Sequence, residues 1–245
     1  MKESQLIYGI RPVLEALKQD IEIDKVFLLS SLQGNLTGEL KTELKKKNII
    51  VQHVPIEKLD RMTKSNHQGV VALMSVIKYS NFFEIIDSLL NKEEEIFILM
   101  LDRLTDVRNF GAIARTALCA GVNAIVIPQH NSAQINEDAI KTSAGALLNI
   151  PICKEGNLKT AINYAKQMGI KVYAATEKDS KLYTKSSFKG NTMIVLGSEE
   201  SGIATDIIRL CDEKIGIPLK GNIESLNVSV AAGIIMYEVV RQRTN

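Results

Sequence analysis

The sequence predicts an α/β fold built on a mostly parallel sheet. Continuous apolar runs recur along the second half of the chain, and such runs are typical of parallel strands that are buried on both faces. Segments with apolar residues at helical spacing separate these runs. Strands that alternate with helices form parallel sheets with right-handed crossovers. The clearest apolar runs are residues 96–101, 124–128 and 193–196.

Length and composition bound the function classes. The chain has 245 residues, of which 45% are hydrophobic, enough for the core of one large or two small domains. A formal net charge of +2 excludes a general polycation but allows a local basic patch. The three cysteines, Cys119, Cys153 and Cys211, lie far apart and form no C-x-x-C pair, so neither a disulfide framework nor a zinc cluster is indicated.

The cellular location follows from the same features. Dispersed cysteines suit a reducing cytoplasm. The polar start lacks the apolar core of a signal peptide, and no apolar run approaches the roughly 18 residues that span a bilayer. We therefore expect a cytoplasmic protein that is not embedded in a membrane.

The first 75 residues predict a small α/β unit. Pro12 suits the first position of a helix, and apolar residues follow it at helical spacing. Further helices are predicted at residues 36–47 and 56–62, and strands at residues 25–29, 49–51 and 69–74.

Basic residues in this unit form a candidate patch for RNA phosphates. The alternative for the lysine triplet is an ordinary solvated helix end, since the helix dipole favours cations in the last turn. His67 receives no assigned role, because a lone histidine is more often structural. The candidate patch comprises Lys45, Lys46, Lys47, Arg61, Lys64 and His67.

Residues 77–94 predict a linker with a short helix at 82–90. The strand at 96–101 and a polar loop follow. Asn109 then suits the cap of a helix, and Gly111 would let another backbone or a ligand approach closely. Arg115 lies six residues after Asn109; taken alone, it would be an ordinary surface charge.

The rest of the chain continues the alternation. After the strand at 124–128 come a loop with a helix rich in small residues (131–148), a short strand (150–153) and an amphipathic helix (158–168). Thr176 ends the strand at 169–176, at the edge of the sheet where ligands bind. A long apolar helix, residues 227–241, closes the fold.

Two polar loops near the end of the chain suggest a ligand site. Ile203 and Ala204 follow the glycine-rich loop 197–202 where a P-loop requires Lys and then Ser or Thr, and the spacing does not fit a dinucleotide fingerprint. Glu199 and Glu200 in that loop would repel a phosphate. A neutral or cationic ligand with a ribose fits better, and a simple surface turn is the alternative.

Three motifs together resemble the SpoU (TrmH-like) family of RNA ribose 2′-O-methyltransferases. The segment 109–115, NFGAIAR, resembles motif 1. The segments GSEESG at 197–202, IPL at 217–219 and SLNVSVA at 225–231 resemble motifs 2 and 3, in the family's order and at about its spacing. The resemblance covers roughly residues 94–241, and the amino-terminal third also resembles the family's RNA-binding domain.

The resemblance implies a specific architecture. Residues 1–76 would be an L30e-like substrate-binding domain, 77–94 a linker and 95–245 a SpoU methyltransferase domain. In the family's SPOUT fold, the carboxyl-terminal helix threads through a loop to make a deep trefoil knot; here that helix would be residues 227–241. The same helix suits a homodimer interface through its Ala, Val, Ile and Met content.

The resemblance also implies an activity: transfer of a methyl group from S-adenosylmethionine to a ribose 2′-hydroxyl, without a metal, because transfer from a sulfonium is a direct displacement. The subgroup that the chain most resembles acts on a guanosine of 23S ribosomal RNA. Two alternatives stay open, a transfer RNA ribose methyltransferase of the same family and a non-catalytic knotted RNA-binding protein.

The site residues follow motif by motif. Arg115 would act as a base with help from an RNA phosphate, or would only stabilise the developing alkoxide, because a guanidinium is effectively always protonated. Ser225 would be functional or would cap the last helix. The stretch 141–145 resembles a family segment that lines the substrate entrance. The implied catalytic residues are Arg115, Asn109, Glu199, Ser225 and Asn227; the cofactor-binding residues are Gly197, Ile217 and Leu226, with Thr176 added from its place at a strand end.

Overall fold

A computed structural model describes residues 5–222 and 225–244 of the chain. The protein divides into two compact units between Lys78 and Tyr79. Strands and helices alternate in both units, so the predicted α/β class is confirmed. Within the described ranges, no helix has both the length and the apolar character that a membrane span needs.

The first unit is a four-stranded sheet with the order β1-β4-β2-β3. Strands β2 and β3 are parallel, and β4 is antiparallel to both β1 and β2. Alternate residues of β2 face opposite sides, as the strand period of two requires: Val26 packs with α1 and α2, and Phe27 packs with α3. The elements are β1 Leu6–Tyr8, α1 Ile10–Lys18, β2 Ile23–Leu29, α2 Asn35–Lys46, β3 Ile50–Val54, α3 Ile56–Met62 and β4 Val70–Met74.

The start of this unit differs from the prediction. Strand β1 was not predicted, and Pro12 lies at the third position of α1 rather than the first. Gly9 explains both differences, because its N–H still bonds to the carbonyl of Val70 in the sheet while its φ of 91° turns the chain into the helix. A proline is tolerated at the third position, since the first N–H groups of a helix have no intrahelical acceptor.

The second unit contains a parallel sheet of seven strands in the order β7-β6-β5-β10-β8-β11-β9. The predicted mostly parallel sheet is therefore confirmed. Its elements are α4 Phe82–Asn91, β5 Phe97–Asp102, α5 Val107–Cys119, β6 Ala124–Pro128, α6 Glu137–Thr142, β7 Ile152–Glu155, α7 Leu158–Gln167, β8 Lys171–Ala175, β9 Lys181–Leu182, β10 Thr192–Gly197, α8 Thr205–Ile208, β11 Glu213–Gly216 and α9 Val228–Thr244, with short 3-10 segments at Ala146–Leu148 and Tyr183–Lys185.

Helix α4 belongs to the core of the second unit. The sequence predicts a linker at residues 77–94. In the structure, Phe82 and Ile86 are fully buried in one core cluster with residues of β5, β6 and α7. Asn81 caps this helix by accepting hydrogen bonds from the backbone N–H groups of Phe83 and Glu84. The apolar face of a short helix thus joined the neighbouring core, which charge and length alone did not reveal.

Helix α9 is fixed at its carboxyl end. The Arg243 guanidinium donates to the carbonyls of Ile96 (3.0 Å) and Gly190 (2.6 Å), and its carbon lies 5.2 Å from the centre of the Phe97 ring. Burial lowers the pKa of Arg243, opposed by the nearby Glu95 carboxylate. The end of α9 is therefore held against the starts of β5 and β10. The knotted path of the chain stays a prediction of the resemblance.

Glu213 at the start of β11 gathers an ion-pair network. Lys171 and Lys181 lie 3.1 and 2.9 Å from its two carboxylate oxygens, and the Ser186 hydroxyl donates at 2.7 Å. Partial burial alone would raise the pKa of Glu213, but the hydrogen bonds from Lys181, Ser186 and Lys171 outweigh it and lower the pKa to about 2. The network joins β8, β9, β11 and the segment that follows β9.

We predict that Glu213→Gln destabilises the second unit at neutral pH and much less in acid. The carboxyl pKa is lower in the folded than in the unfolded state, so its stabilisation is complete above about pH 5 and is lost as the pH falls toward 2. The expected loss at pH 7 is about 2 kcal/mol. Urea unfolding at several pH values measures it, followed by tyrosine fluorescence; five of the six tyrosines lie in this unit.

The exposed Glu94 of the same unit supplies the matched control. Glu94→Gln should leave the unfolding free energy nearly unchanged at every pH. A Glu213→Gln deficit that stays constant from pH 7 to pH 3 would contradict the assigned charge network.

Candidate active site

Three predicted cofactor-binding residues lie at one edge of the sheet. Gly197 ends β10, Thr176 follows β8 and Ile217 follows β11. These strands are adjacent and parallel, so their carboxyl ends meet at the same edge. Gly216 permits close packing there, because a Cβ on it would collide with the Ser180 hydroxyl and the Thr176 carbonyl. This edge is where open α/β sheets bind ligands.

The loop after β10 folds tightly back on itself. The N–H of Gly202 donates to the carbonyl of Ser198 at 2.9 Å, and the hydroxyls of Ser198 and Ser201 are 2.8 Å apart. A Cβ on Gly197 would overlap the backbone of Gly202, so only glycine fits. The turn that results is compact and presents Glu199 at its exposed tip.

The carboxylate of Glu199 is the centre of the site. Its Oε1 accepts hydrogen bonds from the side-chain amides of Asn109 (3.0 Å) and Asn227 (2.6 Å) and from the N–H of Val228 (3.3 Å). The Asn227 amide also donates to Asn109 Oδ1 at 3.0 Å. Three segments distant in sequence, the start of α5, the loop after β10 and the start of α9, thus meet at one oxygen atom.

Asn109 does not cap its helix, contrary to the prediction. Helix α5 begins at Val107, and the capping residue is Asp106, whose carboxylate accepts the N–H of Asn109 at 2.7 Å. An acid three residues before Asn109 is itself a capping signal that the sequence analysis missed. Because Asp106 takes the cap, Oδ1 of Asn109 is available to accept from Asn227, while its amide donates to Glu199. Gly111 packs as predicted, with a virtual Cβ only 2.8 Å from Thr142 of α6.

Asn227 rather than Ser225 caps α9. Its Oδ1 accepts the N–H of Ser229 at 2.9 Å and the hydroxyl of Ser229 at 2.5 Å, while its amide points to Glu199. One side chain therefore fixes the helix start and contacts the site. Ser225 and Leu226 lie immediately before it and are exposed. The predicted capping role of Ser225 is therefore wrong.

Arg115 does not join this cluster within the chain. It lies six residues after Asn109, about 9 Å further along the helix axis, and its side chain is exposed. The guanidinium of Arg115 has no hydrogen-bond or ion-pair partner within residues 5–222 and 225–244. The neighbouring exposed positions of α5 include Leu118, which is 40% exposed.

A cleft of about 760 Å³ opens beside the first turn of α5. Arg108 and Asp106 line it from α5 and its cap, and Asp138 and Lys141 line it from α6. All four side chains are exposed. Lys141, from the segment predicted to line the substrate entrance, thus lines this cleft. Arg108, another lining residue, immediately precedes Asn109 in the sequence. No group of three or more metal-ligating side chains occurs among the residues described.

Two predicted basic features of the first unit have structural partners. Lys47 pairs with Asp20, and Lys46 lies 3.9 Å from Glu43, so two of the three lysines already pair with acidic side chains. His67 is only 8% exposed; its Nδ1 accepts the N–H of Gly69 and its Nε2 lies 2.9 Å from Asp60. Histidine 67 is therefore part of the fold of this unit.

Two family models match the chain. The SpoU rRNA methylase family matches residues 96–237, and the RNA 2′-O ribose methyltransferase substrate-binding family matches residues 6–80. A protein of Staphylococcus haemolyticus, whose name places it among TrmH family tRNA/rRNA methyltransferases, is 34% identical over 98% of this chain and 97% of its own length.

Solved structures agree with the fold. An AdoMet-bound rRNA methyltransferase from Sinorhizobium meliloti matches 98% of this chain and 88% of its own with a TM-score of 0.62 at 23% identity. The A. aeolicus TrmH/SpoU tRNA modifying enzyme matches 66% of this chain and 82% of its own, with a TM-score of 0.57 and 31% identity. The family predicted from the three motifs is confirmed, and the chain belongs to the SpoU rRNA methylase family.

Proposed function

We propose that the protein methylates the 2′-hydroxyl of a guanosine ribose in 23S ribosomal RNA. Membership of the family makes the chain an RNA methyltransferase; the ribosomal target and the guanosine are the finer parts of the proposal. The observation that carries it is the meeting of Asn109, Glu199 and Asn227, one residue from each motif, at a single carboxylate oxygen. A protein that only bound RNA would not need this convergence.

The cofactor is S-adenosylmethionine, which supplies an electrophilic methyl group on a sulfonium. The carboxyl edge of β10, β8 and β11 suits it, because Gly197 and Gly216 bring backbone close to the edge. Backbone groups around Gly197, Ile217 and Leu226 would hold the adenine and ribose, with Thr176 beside them. Two of the methyltransferases with a similar fold bind AdoMet.

The polar cluster would hold the acceptor ribose. Oε1 of Glu199 is already shared by three donors, so we assign Glu199 the role of fixing Asn109 and Asn227 in place. The two amides then orient the ribose hydroxyls, and positioning of this kind lowers a barrier by up to about 7–11 kcal/mol. Arg115 would stabilise the alkoxide as the proton leaves.

A second copy of the chain would bring Arg115 to this cluster. Exposed apolar side chains on α9 and α5 form a candidate dimer face: Val230 and Tyr237 are 50% and 51% exposed, and Leu118 is 40% exposed. Gly233 lies between the two α9 residues, and a Cβ on it would lie 3.8 Å from the methyl group of Thr116 in α5, so the two helices form one surface. A homodimer through this surface covers these side chains and places an exposed Arg115 against the partner.

The first unit and the cleft would bind the RNA. The substrate-binding family model matches residues 6–80, so we assign residues 1–76 to RNA recognition, with Lys45, Arg61 and Lys64 as exposed cations. Such a separate unit favours structured ribosomal RNA over transfer RNA.

The three free cysteines, two of which have a pKa raised to about 12 by burial, fit a cytoplasmic location.

We predict that wild-type protein transfers labelled methyl from S-adenosylmethionine to 23S RNA and not to transfer RNA. Arg115→Ala should lower the rate by at least about 100-fold, because a developing oxyanion loses its charged partner, and should leave cofactor affinity unchanged. Scintillation counting of separated RNAs and calorimetry with the cofactor measure the two quantities. Reverse-transcription stops locate the methylated nucleotide.

Label in transfer RNA alone would instead support the transfer RNA alternative. Binding of the cofactor without any label would support the non-catalytic one.

We further predict that two inactive variants restore activity when mixed. If Arg115 acts on the partner's site, a hybrid of Arg115→Ala and Glu199→Ala chains contains one complete site. Random pairing in a two-fold dimer then gives about a quarter of the wild-type rate. Mixing after mild unfolding, followed by the methyl-transfer assay, provides the measurement. Each variant alone is the baseline, and a mixture no faster than that baseline would show that Arg115 serves its own chain.

We also predict that Arg108→Ala and Lys141→Ala each raise the RNA KM several-fold without changing cofactor affinity. Each removes a candidate phosphate contact, so the slope of log affinity against log salt should fall by about one. Fluorescence anisotropy with labelled RNA measures this slope. Lys189→Ala, an exposed cation outside the cleft, is the control. Equal slopes for all three variants would exclude the cleft as the RNA entrance.

A further inference from the structure

We propose that Asp102 and Arg103, at the end of β5, are positioning residues that set the shape of the cofactor loop 197–204. The neighbouring strand thus holds this loop in place from outside. Neither residue belongs to the three motifs, and no role was predicted for either. The inference rests on the proposed cofactor role of this loop.

Asp102 is a buried acid with a defined partner. It is 4% exposed and lies opposite Gly197 in the register of β5 and β10. Its Oδ2 accepts the N–H of Ala204 at 2.7 Å. A buried carboxylate is costly unless it is paired and hydrogen-bonded, and here the return arm of the loop supplies one of those bonds. Asp102 therefore fixes where the loop ends.

Arg103 holds the same arm by its carbonyl. Its Nη2 donates to the carbonyl of Gly202 at 3.2 Å, and its Nε lies 3.3 Å from both oxygens of Asp102. The two side chains thus contact one donor and one acceptor only two residues apart in the loop. Together they fix the position and the orientation of the segment 202–204.

The backbone of Arg103 is strained for this purpose. Its φ is 56°, in the left-handed region that a side chain disfavours and glycine accepts freely. Strain of this kind persists where the surroundings determine it and clusters at functional sites. The left-handed turn lets residue 103 contact the loop of the adjacent strand instead of continuing along β5. Glu199 lies between the fixed ends of this loop, so the brace determines where its carboxylate meets Asn109 and Asn227.

The decisive variant is Arg103→Gly. It removes the contact with Gly202 and at the same time relieves the strained φ. The Tm should change little, because the relieved φ is offset by loss of the cation beside the buried Asp102. A positioning role predicts a cofactor Kd raised about tenfold, and a merely structural role predicts a Kd within twofold of wild type. Calorimetry with S-adenosylmethionine and differential scanning calorimetry of the full chain measure the two effects.

Glu93→Gly is the matched control, because Glu93 also has a φ of 56°, is exposed and lies before β5, away from the loop. It should relieve the same strain without removing the partner of a buried acid, and it should leave the Kd unchanged. Asp102→Asn keeps an acceptor for Ala204 but loses the charge that holds Arg103, so its Kd should fall between those of wild type and Arg103→Gly.

The outcomes separate the brace from the proposed function. If wild type takes up no cofactor, the proposed function fails. If wild type binds and Arg103→Gly binds within twofold of it, the brace alone is wrong.

Discussion

The carboxylate of Glu199 is the interaction on which the site depends. One of its oxygens accepts hydrogen bonds from two side-chain amides and a backbone N–H. The two asparagines that donate, Asn109 and Asn227, are 118 positions apart in the sequence. Each of those segments must be held before the carboxylate can bridge them. Asp106 fixes the start of α5, Asn227 fixes the start of α9, and the turn at Gly197 fixes Glu199 itself. Loss of any one support would separate the exposed Glu199 carboxylate from its donors and leave it to water, so the three segments would no longer meet.

The glycines show the second constraint, which is space. Gly197 and Gly216 lie where strand ends and loops approach more closely than any Cβ allows. At both positions the backbone itself is the surface against which the neighbouring loop packs. Backbone donors and acceptors cannot be altered by substitution, so a site built from them tolerates change in the surrounding side chains.

Much of this arrangement could be predicted from the sequence, for identifiable reasons. Buried parallel strands are long apolar runs, and the polar loops at their ends are visible because the runs stop there. Contacts between side chains that are distant in the sequence could not be predicted. Asp106 rather than Asn109 caps α5, and Asn109 contacts Glu199 instead. Strand β1 was too short to be recognised as an apolar run. The exposed position of Arg115 follows from where α5 packs, because a helix of this composition has several faces that could be buried. Its distance from the cluster leads to the second copy in the proposed mechanism.

The two ends of α9 explain why the site can be precise although it lies on loops. At 17 residues the helix is about 25 Å long. Arg243 near its end binds carbonyls beside the starts of β5 and β10, and Asn227 before its start contacts Glu199 beyond the end of β10. The segments before and after β10 therefore hold the helix at both edges of the sheet. Asp102 at the end of β5 completes the frame by fixing the loop that carries Glu199. Because every member of this frame is attached to rigid elements, the position of the carboxylate is determined by the sheet rather than by the loops that surround it.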